Sequence, residues 1–324
     1  MNRLNLLIGS ACLLLISIFI PTIKMASTSY DFVFIVDITR SMNTQDYTDN
    51  NGGAISRLDK VKQDMISAIQ TLPCGSRVGL GLFTERSSAL LFSPIEVCSN
   101  YSILEDSIQH IDWRMAWVAD SNIGRGLYNI LKQLKKDFLL SSKLVFFTDG
   151  HESPPVNARY QADFADLTTE KLPASWRAGL IVGVGNKALS RIPKYDQDGH
   201  QTGFYQVDDV PHASSFGLPE DPSKIKGYIP RNGPWGTEKI VGTEHMSSLR
   251  EEYLMNLAKA ASLNYHRLTD KQLFSEALQT PAFTQSQQRD TSISWLPACL
   301  ALLLLSYFYL IPIIGRITML NKDN

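Results

Sequence analysis

The 324-residue chain has no long basic run and almost no net charge, −1 from 31 Lys and Arg against 32 Asp and Glu. A protein that neutralises phosphates needs a pronounced positive excess, so nucleic acid is excluded as a partner class. Internal repeats and low-complexity tracts are also missing. Cysteine is scarce: of four, Cys12 and Cys299 fall inside hydrophobic segments, which leaves Cys74 and Cys98 as the only pair in the polar body of the chain. Charge is absent from two stretches, residues 4–20 ("LNLLIGSACLLLISIFI") and 293–314 ("ISWLPACLALLLLSYFYLIPII"). The rest of the composition, 44% hydrophobic and 19% charged, is that of a globular protein with ample material for a core.

The first uncharged stretch follows Arg3 and fits either a secretory signal or a short membrane anchor. The "PTIKMASTS" after it lacks a pair of small residues at the spacing that signal peptidase reads, which favours an uncleaved anchor. The second stretch, at about 22 residues, is long enough to span a bilayer and carries Trp295 and Tyr309 near its interfaces. A buried core helix is the alternative, disfavoured by the complete lack of charge. Arg3, Arg316 and Lys322 lie outside the two stretches and place both termini in the cytoplasm, with Lys24 running against this assignment. The expected layout is an N-terminal anchor or signal over 1–28, a periplasmic domain over 29–283 with an irregular insertion at about 186–247, and a linker over 284–292. A transmembrane helix over 293–314 and a cytoplasmic tail over 315–324 complete it, in the inner membrane of a bacterium.

Within the body, "YDFVFIVD" (30–37), "KLVFFTD" (143–149) and "AGLIVGVG" (178–185) read as fully buried strands. "RVGLGLF" (77–83) and "SALLFS" (88–93), separated by the turn-like "TERS", form a hairpin. Cys74 just before it and Cys98 just after it meet at its open end, where an oxidising compartment would give a disulfide and a reducing one two free thiols. Helical spacing is clear over 57–72, with Leu58, Val61, Met65, Ala68, Ile69 and Leu72 on one face, and over 122–134; 101–111, 249–261 and 271–278 also read as helices, and "NYHRL" (264–268) as a short strand. The alternation predicts an α/β fold: a doubly wound, mostly parallel sheet with one antiparallel strand. In the insertion, "YDQDGHQTG" (195–203) lacks the distal Glu of an EF-hand loop and reads as a hairpin turning at Asp198-Gly199. Phe204, Tyr205, Phe216, Tyr228 and Trp235 make the insertion an ordered surface rather than filler.

Ligands of open α/β sheets bind outside the carboxyl ends of the strands. Asp37 and Asp149 end two such strands, Thr39 and Ser41 follow the first, and Ser121 with Asp120 precedes the helix at 122. Two carboxylates and three hydroxyls without cysteine form a hard-oxygen site suited to Mg²⁺, Ca²⁺ or Mn²⁺.

These residues resemble the metal-ion-dependent adhesion site of the von Willebrand factor A (vWA) domain, D-x-[ST]-x-S followed by a Thr or Ser and then an Asp in two later loops. Here they are "DITRS", "DSNIG" and "TDG", and the resemblance covers roughly residues 28 to 282. It implies a Rossmann-like fold with Asp37, Thr39, Ser41, Ser121 and Asp149 as the metal set, the hydroxyls ligating directly and the acids acting mainly through water. Asp120, Asp46 and Arg40 stand nearby, and Arg40 replaces the Gly of many members. "DITRSMNTQDY…SRLDKVK", "LPCGSRVGLGLFTE", "FSPIEVC" and "DDVPHASSFGLP" look like the membrane-anchored bacterial A-domain proteins of the MxaL and Bat types. The resemblance implies a binding module whose ion takes a Glu or Asp from a protein partner. For MxaL-type proteins the context is maturation of a calcium-containing methanol dehydrogenase complex. For Bat-type proteins it is work beside sister vWA proteins and a MoxR-type ATPase in stress tolerance or envelope assembly.

An enzyme is the competing expectation. Asp37 as a phosphoryl acceptor lacks the second Asp two residues on, where Thr39 stands; a serine nucleophile finds only His151 as a nearby base, read here as a solvated loop residue. The chain is therefore expected not to be an enzyme.

Overall fold

The computed structural model describes residues 3–49, 51–116, 121–136, 142–154, 161–165, 167, 179–210, 243–269 and 273–320, without the side chains of 3, 136 and 311–320. Asp120, Phe216, Tyr228 and Trp235 lie outside the described residues. The chain forms two compact units, 29–285 and a terminal unit of 1–28 with 286–324.

The larger unit is built on a six-stranded sheet. Its strands are β1 (Asp31–Asp37), β2 (Arg77–Thr84), β3 (Ser87–Glu96), β4 (Lys143–Thr148), β5 (Leu180–Gly183) and β6 (Asn264–Arg267), in the spatial order β6-β5-β4-β1-β2-β3. All neighbours are parallel except β3, which returns antiparallel to β2 as the predicted hairpin. The order reverses at β1, which pairs with β2 on one side and β4 on the other. A crevice opens beyond the carboxyl ends of strands at such a switch point.

β1 has no polar alternation because both of its faces are covered. Phe32, Phe34 and Val36 enter one core with Leu58, Val61, Met65 and Ile69 of helix α1 (Arg57–Thr71) and with Leu104 and Ile108 of α2 (Tyr101–Gln109). Val33 and Ile35 enter the other with Ile123, Leu127, Ile130 and Leu134 of α3 (Ile123–Lys136) and with Leu254 and Leu257 of α4 (Glu251–Ala260). Phe274 and Leu278 of the short α5 (Phe274–Leu278) close the first core. A fully buried aliphatic or aromatic side chain contributes about 1.5–3 kcal/mol, so these two cores hold the strand ends, and the loops after them, in place.

Cys74 and Cys98 are joined in a disulfide with a Cα–Cα distance of 5.3 Å at the open end of the β2–β3 hairpin. Glu96 ties the same corner, accepting from Gly75 N at 2.7 Å and Ser99 N at 2.6 Å. In the insertion, Pro193–Tyr195 pairs with Gln201–Phe204, and Gly199 turns the hairpin at φ +87°. Ser190–Arg191 pairs with Met246–Ser247, which anchors the insertion's two described ends to each other.

The terminal unit has the helix Arg3–Phe19, a strand pair of Ile23–Ser29 with Gln285–Thr291, and the helix Trp295–Leu320, the two helices packing together. Both segments expected to span a membrane are thus helical. Among the described residues, however, no helix is long and apolar enough to cross one. At 1.5 Å per residue the first helix is about 26 Å long, short of the roughly 30 Å hydrocarbon core.

Candidate metal-binding site

Asp37 ends β1 fully buried. Its Oδ1 accepts from Thr39 N at 2.9 Å, which folds the following loop back over the carboxylate, and its Oδ2 accepts from Thr148 Oγ1 at 2.7 Å at the end of β4. The chain then runs into a single 3₁₀ turn, Arg40–Asn43, closed by Met42 N to Thr39 O at 2.9 Å. This turn brings the Thr39 and Ser41 hydroxyls within 3.3 Å of each other. Ser121 arrives from a different part of the chain, its backbone N–H bonded to Ser153 O at 2.8 Å just ahead of α3. Its Oγ is buried without a hydrogen-bond partner. Glu152 caps α3 by accepting from Ile123 N at 2.9 Å, and so fixes the helix start that positions Ser121.

Thr39, Ser41 and Ser121 line one small cavity with Arg40, His151, Ser153, Tyr205 and Glu244. Its volume of about 30 Å³ leaves room for about one or two water-sized groups. Arg40 is exposed at its edge, with its guanidinium 5.2 Å from the centre of the Tyr205 ring.

Asp149 follows β4 and is also fully buried. Its Oδ1 accepts from His151 N at 2.9 Å; its Oδ2 accepts from Arg57 at 2.6 Å and from Ser247 Oγ at 2.9 Å. Gly150 makes the turn at φ +80°, where a Cβ would also press on Arg250 Cβ at 2.9 Å. Arg57 is the residue that sequence reasoning missed. It opens α1 with no exposed surface and also binds Asp46, with contacts of 2.7 and 3.1 Å, and Ser247 Oγ at 2.7 Å. Gly185 makes room for it at φ +109°, since a Cβ there would lie 2.5 Å from Arg57 Nε. The signal for this role was present in the "SRLDKVK" segment, but not its partner 92 residues away.

The structure therefore sorts the expected site residues. Thr39, Ser41 and Ser121 share the cavity, and Asp37 and Asp149 stand behind them at adjoining strand ends. Arg40 lies at the rim, while Asp46 turns to Arg57. His151, expected to be a solvated loop residue, is instead 4% exposed, and its Nε2 has no partner.

The two acids differ electrostatically. Burial and then the charge of Asp149 push Asp37 up to about 7, against the lowering effect of its threonine hydrogen bonds. Burial would raise Asp149 too, but Arg57 and His151 outweigh it and hold that carboxyl below its usual range. A cation in the cavity would favour the ionised form of both. The donor set, three hydroxyl oxygens backed by two carboxylates, fits a hard divalent ion, and the unpartnered Ser121 Oγ is the atom such an ion would satisfy.

The family model of the von Willebrand factor type A domain matches residues 32–152. No curated protein sequence matches the chain. Among solved structures, an aerotolerance-related membrane protein from Bacteroides fragilis is similar at 14% identity, covering 78% of this chain and 98% of that one with a TM-score of 0.49. BatB from Bacteroides thetaiotaomicron is similar at 16% identity, covering 77% and 95%, with a TM-score of 0.48. The matched residues hold β1, the β2–β3 hairpin, β4 and the loops of Asp37, Ser121 and Asp149, so the part of the chain that carries the candidate site is similar to a von Willebrand factor type A domain.

Proposed function

We propose that the chain is a membrane-anchored module that binds a protein partner through a divalent ion. The observation that carries this reading is the buried, unpartnered hydroxyl of Ser121 in a cavity it shares with the paired hydroxyls of Thr39 and Ser41. These three would hold Mg²⁺, Ca²⁺ or Mn²⁺, with Asp37 and Asp149 balancing its charge through water. When bound, the ion supplies an electrophilic position that a Glu or Asp of the partner fills. Arg40 at the rim would favour an acidic partner segment. An enzyme reading has less support, because Asp37 is enclosed with both carboxylate oxygens engaged and is a poor phosphoryl acceptor.

Anchoring is supported by the apolar terminal helices, where Leu4, Ile18 and Phe19 are 65%, 73% and 81% exposed and Leu302 and Leu303 65% and 66%. Such surface calls for lipid or protein cover. The disulfide suits a periplasmic location. The motifs shared with MxaL-type proteins suggest a role in maturing a partner complex such as a calcium-dependent methanol dehydrogenase; the Bat-type alternative places the chain beside a MoxR-type ATPase.

The test is to pan a peptide display library against the full chain in detergent with Mn²⁺ or Mg²⁺. Recovered peptides should carry a Glu or Asp whose replacement abolishes binding, EDTA should release them, and Asp37→Ala should not capture them. Peptides held equally in EDTA would refute the metal bridge. Reporter fusions at Thr284 and Asn324 should report opposite sides of the membrane; the same side for both would refute the two-anchor topology.

A further inference from the structure

We infer that His151 is a direct nitrogen ligand of the ion in this cavity, which makes the site selective for a first-row transition ion over Mg²⁺ and Ca²⁺; the inference rests on the metal-binding reading above. A buried polar atom left unsatisfied costs about 1–3 kcal/mol, and folded proteins seldom carry one without a reason. This small cavity is lined by two residues with such an atom, Ser121 Oγ and His151 Nε2. His151 is placed there by its own backbone, whose N–H is committed to Asp149 Oδ1, so the ring follows the same turn that sets the acid. Thr39 and Ser41 add two hydroxyl oxygens, and the half-buried Glu244 lines the same cavity.

A water molecule could pair with an orphaned atom, but it would add no positive charge beside Asp149, whose partner Arg57 is shared with Asp46. A divalent ion satisfies the nitrogen and the hydroxyl and adds the missing positive charge. Oxygen donors alone suit Mg²⁺ and Ca²⁺, whereas imidazole moves preference along the series from Mn²⁺ to Co²⁺, Ni²⁺ and Zn²⁺. The mixed set here, one imidazole nitrogen with hydroxyl oxygens, belongs to the second class.

The test loads the full chain in detergent with Mn²⁺ and records electron spin echo envelope modulation, with histidine at natural abundance and ¹⁵N-labelled. A nitrogen coupling that changes with the label, persists in His245→Gln and disappears in His151→Gln is expected. In parallel, Co²⁺ and Mg²⁺ affinities are measured by calorimetry. His151→Gln should weaken Co²⁺ by about 10-fold or more and leave Mg²⁺ within about 2-fold. If Mn²⁺ binds without nitrogen coupling and His151→Gln leaves the Co²⁺ to Mg²⁺ ratio unchanged, His151 is not a ligand, although the oxygen site stands. If neither Mn²⁺ nor Co²⁺ binds the wild type, the metal-binding reading fails and this inference with it. The label swap decides the ligand question in the unmutated protein, so a variant that folds poorly does not leave it open.

Discussion

Replacing Arg57 with Met gives a sharp test of how the two acids are held. The side chain is fully buried, and its guanidinium reaches Asp149 at 2.6 Å, Asp46 at 2.7 Å and Ser247 Oγ at 2.7 Å. Methionine fills much of the same space but leaves Asp149 buried beside Asp37 without its counter-charge. Breaking one side of a buried ion pair costs about 3–5 kcal/mol, a large part of the 5–15 kcal/mol that holds a typical domain together. At about 2–4 °C per kcal/mol for a domain of this size, the midpoint should fall by about 6 to 20 °C. The assay is urea and thermal unfolding of the full chain in EDTA, followed by circular dichroism, and again with saturating Mn²⁺. The ion supplies positive charge to the same acids and so should shrink the deficit. A loss below about 1 kcal/mol in EDTA would refute the claim that Arg57 neutralises this corner.

Two further predictions concern the hairpin corner. Closing a loop of 24 residues' separation removes about 3.5 kcal/mol of unfolded-state entropy, so the double variant Cys74→Ser, Cys98→Ser should lose about 3 kcal/mol in denaturant titrations; no loss would mean the bridge is idle. Burial works to raise Glu96, but the backbone N–H groups of Gly75, Ser99 and Cys98 outweigh it and lower this carboxyl to about 2 from 4.5. A depressed carboxylate gives stability that is fully present above the unfolded value and lost as pH falls from about 4.5 to about 2. Glu96→Gln should flatten that part of the pH–stability curve, and an unchanged slope would refute the assignment.

Elements were legible where one local rule governed them. β1 and β4 are buried on both faces, so they read as continuous apolar runs; α1 and α3 each cover one face, so their apolar residues recur at helical spacing. Asp198-Gly199 was legible because a hairpin turn needs a residue with positive φ, which Gly199 supplies. Limits were less legible: residues 178–185 read as strand, whereas among the described residues the strand spans Leu180–Gly183, and Gly185 turns away at φ +109° where a side chain would meet Arg57. The pairing of Ser190–Arg191 with Met246–Ser247 spans more than fifty residues and left no local trace. Arg57 and His151 were missed for a related reason. A charged residue at a helix start and a histidine in a polar loop look solvated in sequence, and only the strand order buries them against Asp149.

On the proposed reading, Ser121, Thr39 and Ser41 hold one divalent ion in front of Asp37 and Asp149. The direct measurement is calorimetric titration of the full chain with Mn²⁺, for the wild type and for Ser121→Ala, whose removed hydroxyl has no partner to strand. One ion per chain is expected for the wild type and binding weakened by about 10-fold or more in Ser121→Ala, whose unfolding midpoint in EDTA should be no lower than that of the wild type. Equal affinity in the two proteins, or no binding by either, would contradict it.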